Sequence, residues 1–511
     1  MKPPTAKPWF LAAALALGAI QLACCESESD YSYSYNFNNY TPFFLHVLVP
    51  DANHLWVPPD AQLSLGTDSP SLTVLIAPGQ HAEGRYSTEM VCCEDRCGAV
   101  SVRRPPHGDD LDVTYNPPSC GSSGSCPYVY VATAAGFTRV GEALTGALNR
   151  GARREDRVPL GPLAAIDGRY RVRLAAELLE DDSFDSVALD LVDHDPALEI
   201  VAGPDETLLA VRAPLAPLAV LDAAGRDRLP PLLADDGDGW EGTDVSSVLD
   251  GRVRDWVTVE FPRPAGAGDV VLLVRGNNTA FLQDSYHAYI RQFGPGLPKL
   301  MRGTSAFPAY RPIVEGLLRS AGFAMDVAVE DLPDWKPLGT LPAVGPAGPR
   351  TVALRLSLPP SDAPTFRVRL AVLPGAWRVE QVRLASPVDA DLAVRSLSPS
   401  GSMIDAPNAT IRDVAPDPLA AIDGRTLDVP YRHGLTVLFD APAPAPALSR
   451  SAFLRVEGWY EERDASPLPC IRWRNLFSAA LGQDSFATFV LERLRKQEAL
   501  RLLAGLGADT P

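Results

Sequence analysis

The chain has 511 residues, 46% of them hydrophobic, enough at roughly 150 residues per domain for about three packed domains. Forty-nine prolines and 39 glycines work against long helices and central strands and favour short strands joined by many turns. A formal net charge of −17 repels phosphate backbones, which excludes nucleic acid as a partner.

The chain opens with the parts of an export signal. Lys2 and Lys7 precede an unbroken apolar run from Trp9 to Ile20. That run falls short of the ~20 apolar residues a membrane span needs, so it predicts a signal peptide over residues 1–24. Gln21-Leu22-Ala23-Cys24-Cys25 then resembles a bacterial lipobox, in which a cysteine is acylated. Cys24 has Gln21 where leucine is usual; Cys25 has Leu22 well placed but Cys24 at the small-residue position. Both remain acceptors. Two acyl chains on one cysteine give stable membrane anchoring. Residues 25–40 are polar and low in complexity, which predicts a disordered tether.

Residues 41–156 read as a small β domain. Phe43–Val49, Ser71–Ile76 and Pro127–Ala132 are β-type runs bounded by turn residues. Cys92, Cys93, Cys97, Cys120 and Cys126 crowd this region, and Cys470 is the distant sixth candidate. In an exported chain that pattern predicts disulfide staples, at least two within the cluster, rather than zinc.

An internal repeat follows. Tyr170–Ala175 (YRVRLA) matches Phe366–Ala371 (FRVRLA), and Val187-Ala188-Leu189 matches Val382-Arg383-Leu384. Val257–Phe261 (VTVEF) matches Leu435–Phe439 (LTVLF), and Val271–Gly276 matches Phe453–Gly458. Four elements recurring in the same order predict two copies of one domain, at 157–290 and 345–462. Each matched element alternates apolar and polar residues, the pattern of a strand with one buried face. The expected fold is therefore mainly β: duplicated antiparallel β-sandwiches, immunoglobulin-like or jelly-roll-like, with a disulfide-stapled β domain and short helices. Asp167-Gly168-Arg169, Asp250-Gly251-Arg252 and Asp423-Gly424-Arg425 each read as turn chemistry ahead of a strand. Residues 291–344 read as a helical linker, with Ile313, Val314, Leu317 and Leu318 on one helical face. Residues 463–511 read as a helical tail, capped by Asp484 and carrying the apolar stripe Phe486, Phe489, Val490 and Leu494.

No nucleophile elbow, zinc-protease helix, phosphate loop or dinucleotide fingerprint occurs, so the sequence implies neither an enzyme nor a cofactor. Asp193-His194-Asp195 is the most polar spot beside a strand and reads as a solvated loop before a metal or acid/base site. Asp235, Asp236, Asp238, Glu241 and Asp244 crowd a glycine-rich loop, a weak calcium candidate whose spacing departs from the helix-loop-helix pattern. Trp240, Trp377, Trp459 and Tyr460 are the aromatics a sugar-binding face would use.

Several stretches resemble a β-rich module found beside repeats in large secreted bacterial proteins of the ASPIC/UnbV-associated type. They are Ser125–Tyr130, Phe137, Val140-Gly141-Glu142, Gly168–Leu174 with Glu177-Leu178, Val192-Asp193-His194 and Trp335–Leu356, across roughly residues 119–390. That resemblance implies adhesion or scaffolding and carries no catalytic residue. The resulting expectation is a lipid-anchored protein of the bacterial envelope, on the outer membrane, that binds an envelope protein or a glycan. The alternatives are an extracytoplasmic hydrolase without a motif and a glycan-binding module.

Overall fold

The computed structural model describes residues 126–462, except 135, 178–179, 265–267, 292–321, 332–333 and 406–410, together with residues 486–496 and the backbone of nine strands between 33 and 116. The chain divides into two compact units, one of Met1–Ser122, Ala465–Leu476 and Lys496–Pro511, the other of Ser123–Asp464 and Phe477–Arg495.

In the first unit, His54–Val57, Leu45–Leu48, Ser71–Ile76, Tyr86–Cys93 and Arg96–Cys97 form one antiparallel sheet. Tyr33–Asn38 pairs with Gln62–Thr67, inside the segment expected to be a disordered tether. Tyr33, Tyr35 and Phe37 alternate there with Ser34 and Asn36, a strand period that the low complexity masks. Cys92 and Cys97 are directly opposite each other across a tight hairpin. The expected staple through Cys126 is not formed. Cys126 is a free, buried thiol in the core of the second unit. Cys24, Cys25, Cys120 and Cys470 lie outside the described residues.

The second unit holds four large antiparallel sheets in two bodies. The outer body joins the sheet Gly136–Glu142, Tyr128–Thr133, Arg169–Ala175, Gly434–Asp440, Gly401–Asp405, Ile411–Val414 to the sheet Arg154–Pro159, Ser449–Glu462, Glu180–His194, Val394–Leu397. The three strands between 128 and 159 thus belong here and not to the Cys-rich domain. The inner body joins Ala219–Asp222, Asp255–Pro262, Thr365–Val372, Met325–Asp331, Asp334–Leu341 to Leu198–Ala202, Leu208–Leu215, Trp377–Val388, Asp269–Asn278, Arg350–Ser357. Alternation decides the faces: Tyr170, Val172 and Leu174 enter the outer core with Leu435, Val437 and Phe439. Phe366, Val368 and Leu370 enter the inner core with Val257, Val259 and Phe261.

The inner body sits inside the outer body's sequence. The chain leaves the outer body after His194, builds the whole inner body, and returns at Val394. Repeat elements therefore pair across copies rather than within one. Val172 faces Val437 and Val368 faces Val259. The expected helical linker is a β-hairpin over Met325–Asp331 and Asp334–Leu341, because Val327 and Val329 alternate into the inner core. The helix expected at 312–321 lies outside the described residues. Ala280–Arg291 is helical. So are residues 486–496, whose Phe486, Val490 and Leu491 dock on the inner core, with Phe486 stacked on Phe323 at 5.5 Å between ring centroids.

Candidate functional site

A cluster of buried charge in the second unit lies where the two bodies meet. The outer body supplies the edge strand Arg154–Pro159, whose run Arg154-Glu155-Asp156-Arg157 holds charges where alternation would otherwise place apolar residues. The inner body supplies the start of the Arg350–Ser357 strand and the tip of the hairpin between Leu198–Ala202 and Leu208–Leu215. At that tip Gly203 N–H donates to the Thr207 carbonyl at 2.8 Å, and the turn puts Glu206 at φ 63°, a left-handed conformation costly for a glutamate. The strain is offset by what Glu206 reaches. Its carboxylate accepts the Arg157 N–H at 2.8 Å and pairs with Arg154 at 3.2 Å and Arg350 at 3.5 Å.

Arg350 is the centre of the cluster. Its guanidinium donates to Asp156 at 2.9 Å and to the Arg157 carbonyl. Asp156 also accepts the Leu144 N–H at 2.9 Å. Burial alone would raise the Asp156 carboxyl, but Arg350 and Arg154 hold it below the usual range. Burial likewise works against the Arg350 charge, yet Asp156 and Glu206 keep that guanidinium raised. Glu206 is pushed up to about 7, chiefly by burial and then by the charge of Asp156. A second shared carboxylate, Asp190, pairs with both Arg157 and Arg455 at 3.2 Å and accepts Ser396 Oγ at 2.6 Å. Below it Val192 and Phe453 of the outer body pack with Ile200 and Ala210 of the inner body.

Glu142 closes the cluster from the outer body. It is 3% exposed, and neither carboxylate oxygen completes a hydrogen bond. Burial pushes it up to about 8. Its side chain occupies the space beside Gly345 that a Cβ there would take, and Gly345 has φ +76°. Asn278 holds that loop in place by accepting the Val344 and Gly345 N–H groups at 3.0 and 3.3 Å. A recess of about 10 Å3, lined by Arg154, Glu206, Val344 and Arg350 among others, adjoins the cluster. That is about the space of one water molecule. The arrangement is suited to clamping one body on the other.

The residues singled out from sequence fall elsewhere. Asp193 makes a two-point ion pair with Arg450 at 2.6 and 2.7 Å, and that hydrogen bonding holds its carboxyl below the usual range. His194 bonds Ser451 Oγ at 2.9 Å and the Asp195 carbonyl at 3.0 Å, and Asp195 accepts the Ala197 N–H at 2.9 Å. These three residues brace the first crossing between bodies. The acidic loop does not converge either: Asp235 pairs with Arg275 at 2.8 Å, Asp236 accepts the Asp238 N–H, and Asp244 accepts Ser246 and Ser247. Among the described residues no group of three His, Cys, Asp or Glu side chains is placed to hold a metal ion, those of the calcium candidate with Glu241 included. Trp240, Trp377, Trp459 and Tyr460 are all more than nine-tenths buried, in the two cores, which overturns the sugar-stacking role considered for them. Arg154, Asp156, Glu206, Arg350 and Glu142 were not among the candidate site residues; Glu142 and Arg350 stood only in stretches quoted for the family resemblance. Their one sequence signal is the charged run at 153–157 in front of Val158 and Leu160, a strand with carboxylates on its inward side.

No family model and no curated protein matches the chain. Among solved structures it is similar to a chain described as showing the triple jelly roll fold and turret assembly in an archaeal virus. That match has 8% identity, covers 61% of this chain and 90% of that one, and has a TM-score of 0.13, at which it carries no argument. The resemblance to ASPIC/UnbV-associated modules gains no support from these comparisons. No helix among the described residues is long and apolar enough to cross a membrane.

Proposed function

We propose that this protein is an exported bacterial lipoprotein, anchored on the envelope through Cys24 or Cys25, that serves as a non-enzymatic scaffold or binding protein. In this reading each two-sheet body is a β-sandwich of immunoglobulin-like or jelly-roll-like kind, present in duplicate. The observation that carries it is the short apolar run Trp9–Ile20 closed by Leu22-Ala23-Cys24-Cys25, ahead of long β-rich segments. The buried ionic junction supports the non-enzymatic part, because its charges are matched to one another across two bodies of the same chain. The partner is an envelope protein that recognises the pair of bodies. Replacing Cys24 and Cys25 together with serine tests the anchor. The doubly substituted protein is expected in the soluble exported fraction. Its retention in washed membranes would show that lipid is not the anchor.

A further inference from the structure

The two bodies of the second unit share far more than the four repeat elements visible in the sequence. In the outer body one sheet runs Gly136–Glu142, Tyr128–Thr133, Arg169–Ala175, Gly434–Asp440, Gly401–Asp405. In the inner body the sheet Asp334–Leu341, Met325–Asp331, Thr365–Val372, Asp255–Pro262, Ala219–Asp222 has the same order. The second sheets also match: Arg154–Pro159, Ser449–Glu462, Glu180–His194, Val394–Leu397 against Arg350–Ser357, Asp269–Asn278, Trp377–Val388, Leu208–Leu215.

The registers agree over most of the matched strands; the exception is Leu208–Leu215, which carries a shift between Arg212 and Leu215 that Val394–Leu397 lacks. Tyr170 faces Phe439 as Phe366 faces Phe261, and Val187 faces Val456 as Val382 faces Val274. Even the irregularities recur. A register shift between Val129 and Tyr130, opposite Gly141, returns between Val327 and Ala328, opposite Gly339. A bulge that skips Asp185 beside Gly458 returns where Glu380 is skipped beside Gly276. At both glycines a Cβ would run into a backbone carbonyl, that of Ser183 or that of Arg378. Bulges and close-approach glycines are specific backbone features, and two in matching places mark the same structural unit.

Each body, however, takes one half from each copy. By this match each copy begins earlier than the sequence repeat does, copy one at Tyr128 and copy two at Met325. The first five strands of copy one, ending at His194, are completed by the last strands of copy two, from Val394 onward. The rest of copy one is completed by the first five strands of copy two. The exchange runs through two short crossings, residues 195–197 and 389–393, which leave the two matching strands Glu180–His194 and Trp377–Val388. This is the connectivity of a reciprocally swapped two-fold dimer written into one chain.

We infer that the surface closing each body is a homotypic interface, and that the partner it fits is a second copy of the same repeat, supplied by this chain or by another molecule of it. The covalent connection between Arg291 and Gly322 then serves to hold two self-complementary copies at high local concentration.

The test uses the full chain with a specific protease site inserted between Arg291 and Gly322. After cleavage of the folded protein, the two halves are expected to elute together, one to one, at the uncut volume, and to part only in denaturant. The unfolding midpoint of the cut protein should become dependent on protein concentration, unlike that of the uncut chain. Refolding a mixture of tagged and untagged cut protein should recover tagged first halves with untagged second halves. Halves that separate in native buffer as two folded monomers would overturn the inference, because each copy would then close on itself. An insertion that prevents folding is met by a cysteine pair in the uncut chain. Arg171→Cys with Leu438→Cys lies at directly facing positions of different copies, whereas Glu260 holds the place of Leu438 within copy one. Efficient crosslinking of R171C with L438C and not with E260C supports the swap; the opposite preference overturns it.

Discussion

Where the outer body buries Asp156, Asp182 and Asp190, the inner body has Val352, Trp377 and Ala385 at the matching places in its sheets. The strand plan is the same, so the difference lies in what the plan is filled with. Trp377 is fully packed and donates from its indole to the Phe323 carbonyl at 2.9 Å. At the same place Asp182 is fully buried with neither oxygen hydrogen-bonded, and burial, with the neighbouring Asp181 charge, holds its carboxyl well above the usual range. The inner body does bury carboxyls, but they are answered: Asp222 by Arg226 and Arg228 at 2.7 and 2.9 Å, Asp255 by the Asp244 and Trp256 N–H groups. A topology held by alternation tolerates very different interiors, provided each face stays out of water.

The largest consequence is a difference in pH response. Glu142 is protonated in the folded protein up to about 8, against an ordinary value of 4.5. A carboxyl raised by folding contributes its full stability below 4.5 and loses it as pH climbs toward 8, because the unfolded chain ionises first. The whole loss across that window is on the order of 4–5 kcal/mol. Glu206 works in the same direction up to about 7, while Asp156, held low, completes its contribution below that window. Hydrogen exchange at pH 5 and pH 8, corrected for intrinsic rates, should show strands such as Arg169–Ala175 losing protection far more than Thr365–Val372. Glu142→Gln should flatten the change. Equal loss in both bodies would erase the contrast.

Arg350 and Arg154 hold equivalent places, opposite Gly276 and Gly458, and both reach Glu206. They are not equal in burial, at 13% and 26% side-chain exposure. Arg350→Ala leaves Asp156 and Glu206 without their central partner and should cost about 3–5 kcal/mol, the range for breaking a buried pair. Arg154→Ala should cost roughly 1 kcal/mol, because Arg350 and the Arg157 N–H still hold Glu206. Urea denaturation of both variants at pH 6 sharpens the comparison, and equal costs would place the junction's weight elsewhere.

Much of the strand content was legible in the sequence. Tyr170–Ala175 and Phe366–Ala371 show their buried faces by alternation alone, and Gly168 and Gly251 take the positive φ their Asp-Gly turns call for, 73° and 77°. The stripe of Phe486 and Val490 does dock. The pairing was not legible, because Val172 meets the same alternation in Val259 as in Val437. Only the short crossings after His194 and before Val394 bear on that choice, and neither has a hydrophobic pattern. The third strands of each copy escaped notice for a different reason. Arg154–Pro159 and Arg350–Ser357 share a place in their sheets but little composition, one being charged along its length where the other is apolar. The junction was hidden by the same charges, since acidic residues in a strand ordinarily mark the face turned to water.

The smallest predicted effect tests whether Glu142 and Gly345 form a matched pair across the two bodies. Alanine at position 345 must adopt φ near +76°, which costs about 1 kcal/mol for a residue with a Cβ. Its methyl group would also land on the Glu142 carboxyl, which is 3% exposed and has little room to swing away. The carboxyl must then shift within a buried site where the Asp156 charge already raises it. Gly345→Ala alone should therefore cost about 2–3 kcal/mol. In a Glu142→Ala background the space beside residue 345 is free, and only the backbone cost of about 1 kcal/mol should remain. A double-mutant cycle by urea denaturation at pH 6, where Glu142 is protonated, should thus give a coupling of about 1–2 kcal/mol. Additive losses would mean that the glycine is needed only for its backbone turn, and that the carboxyl of one body and the loop of the other merely lie side by side.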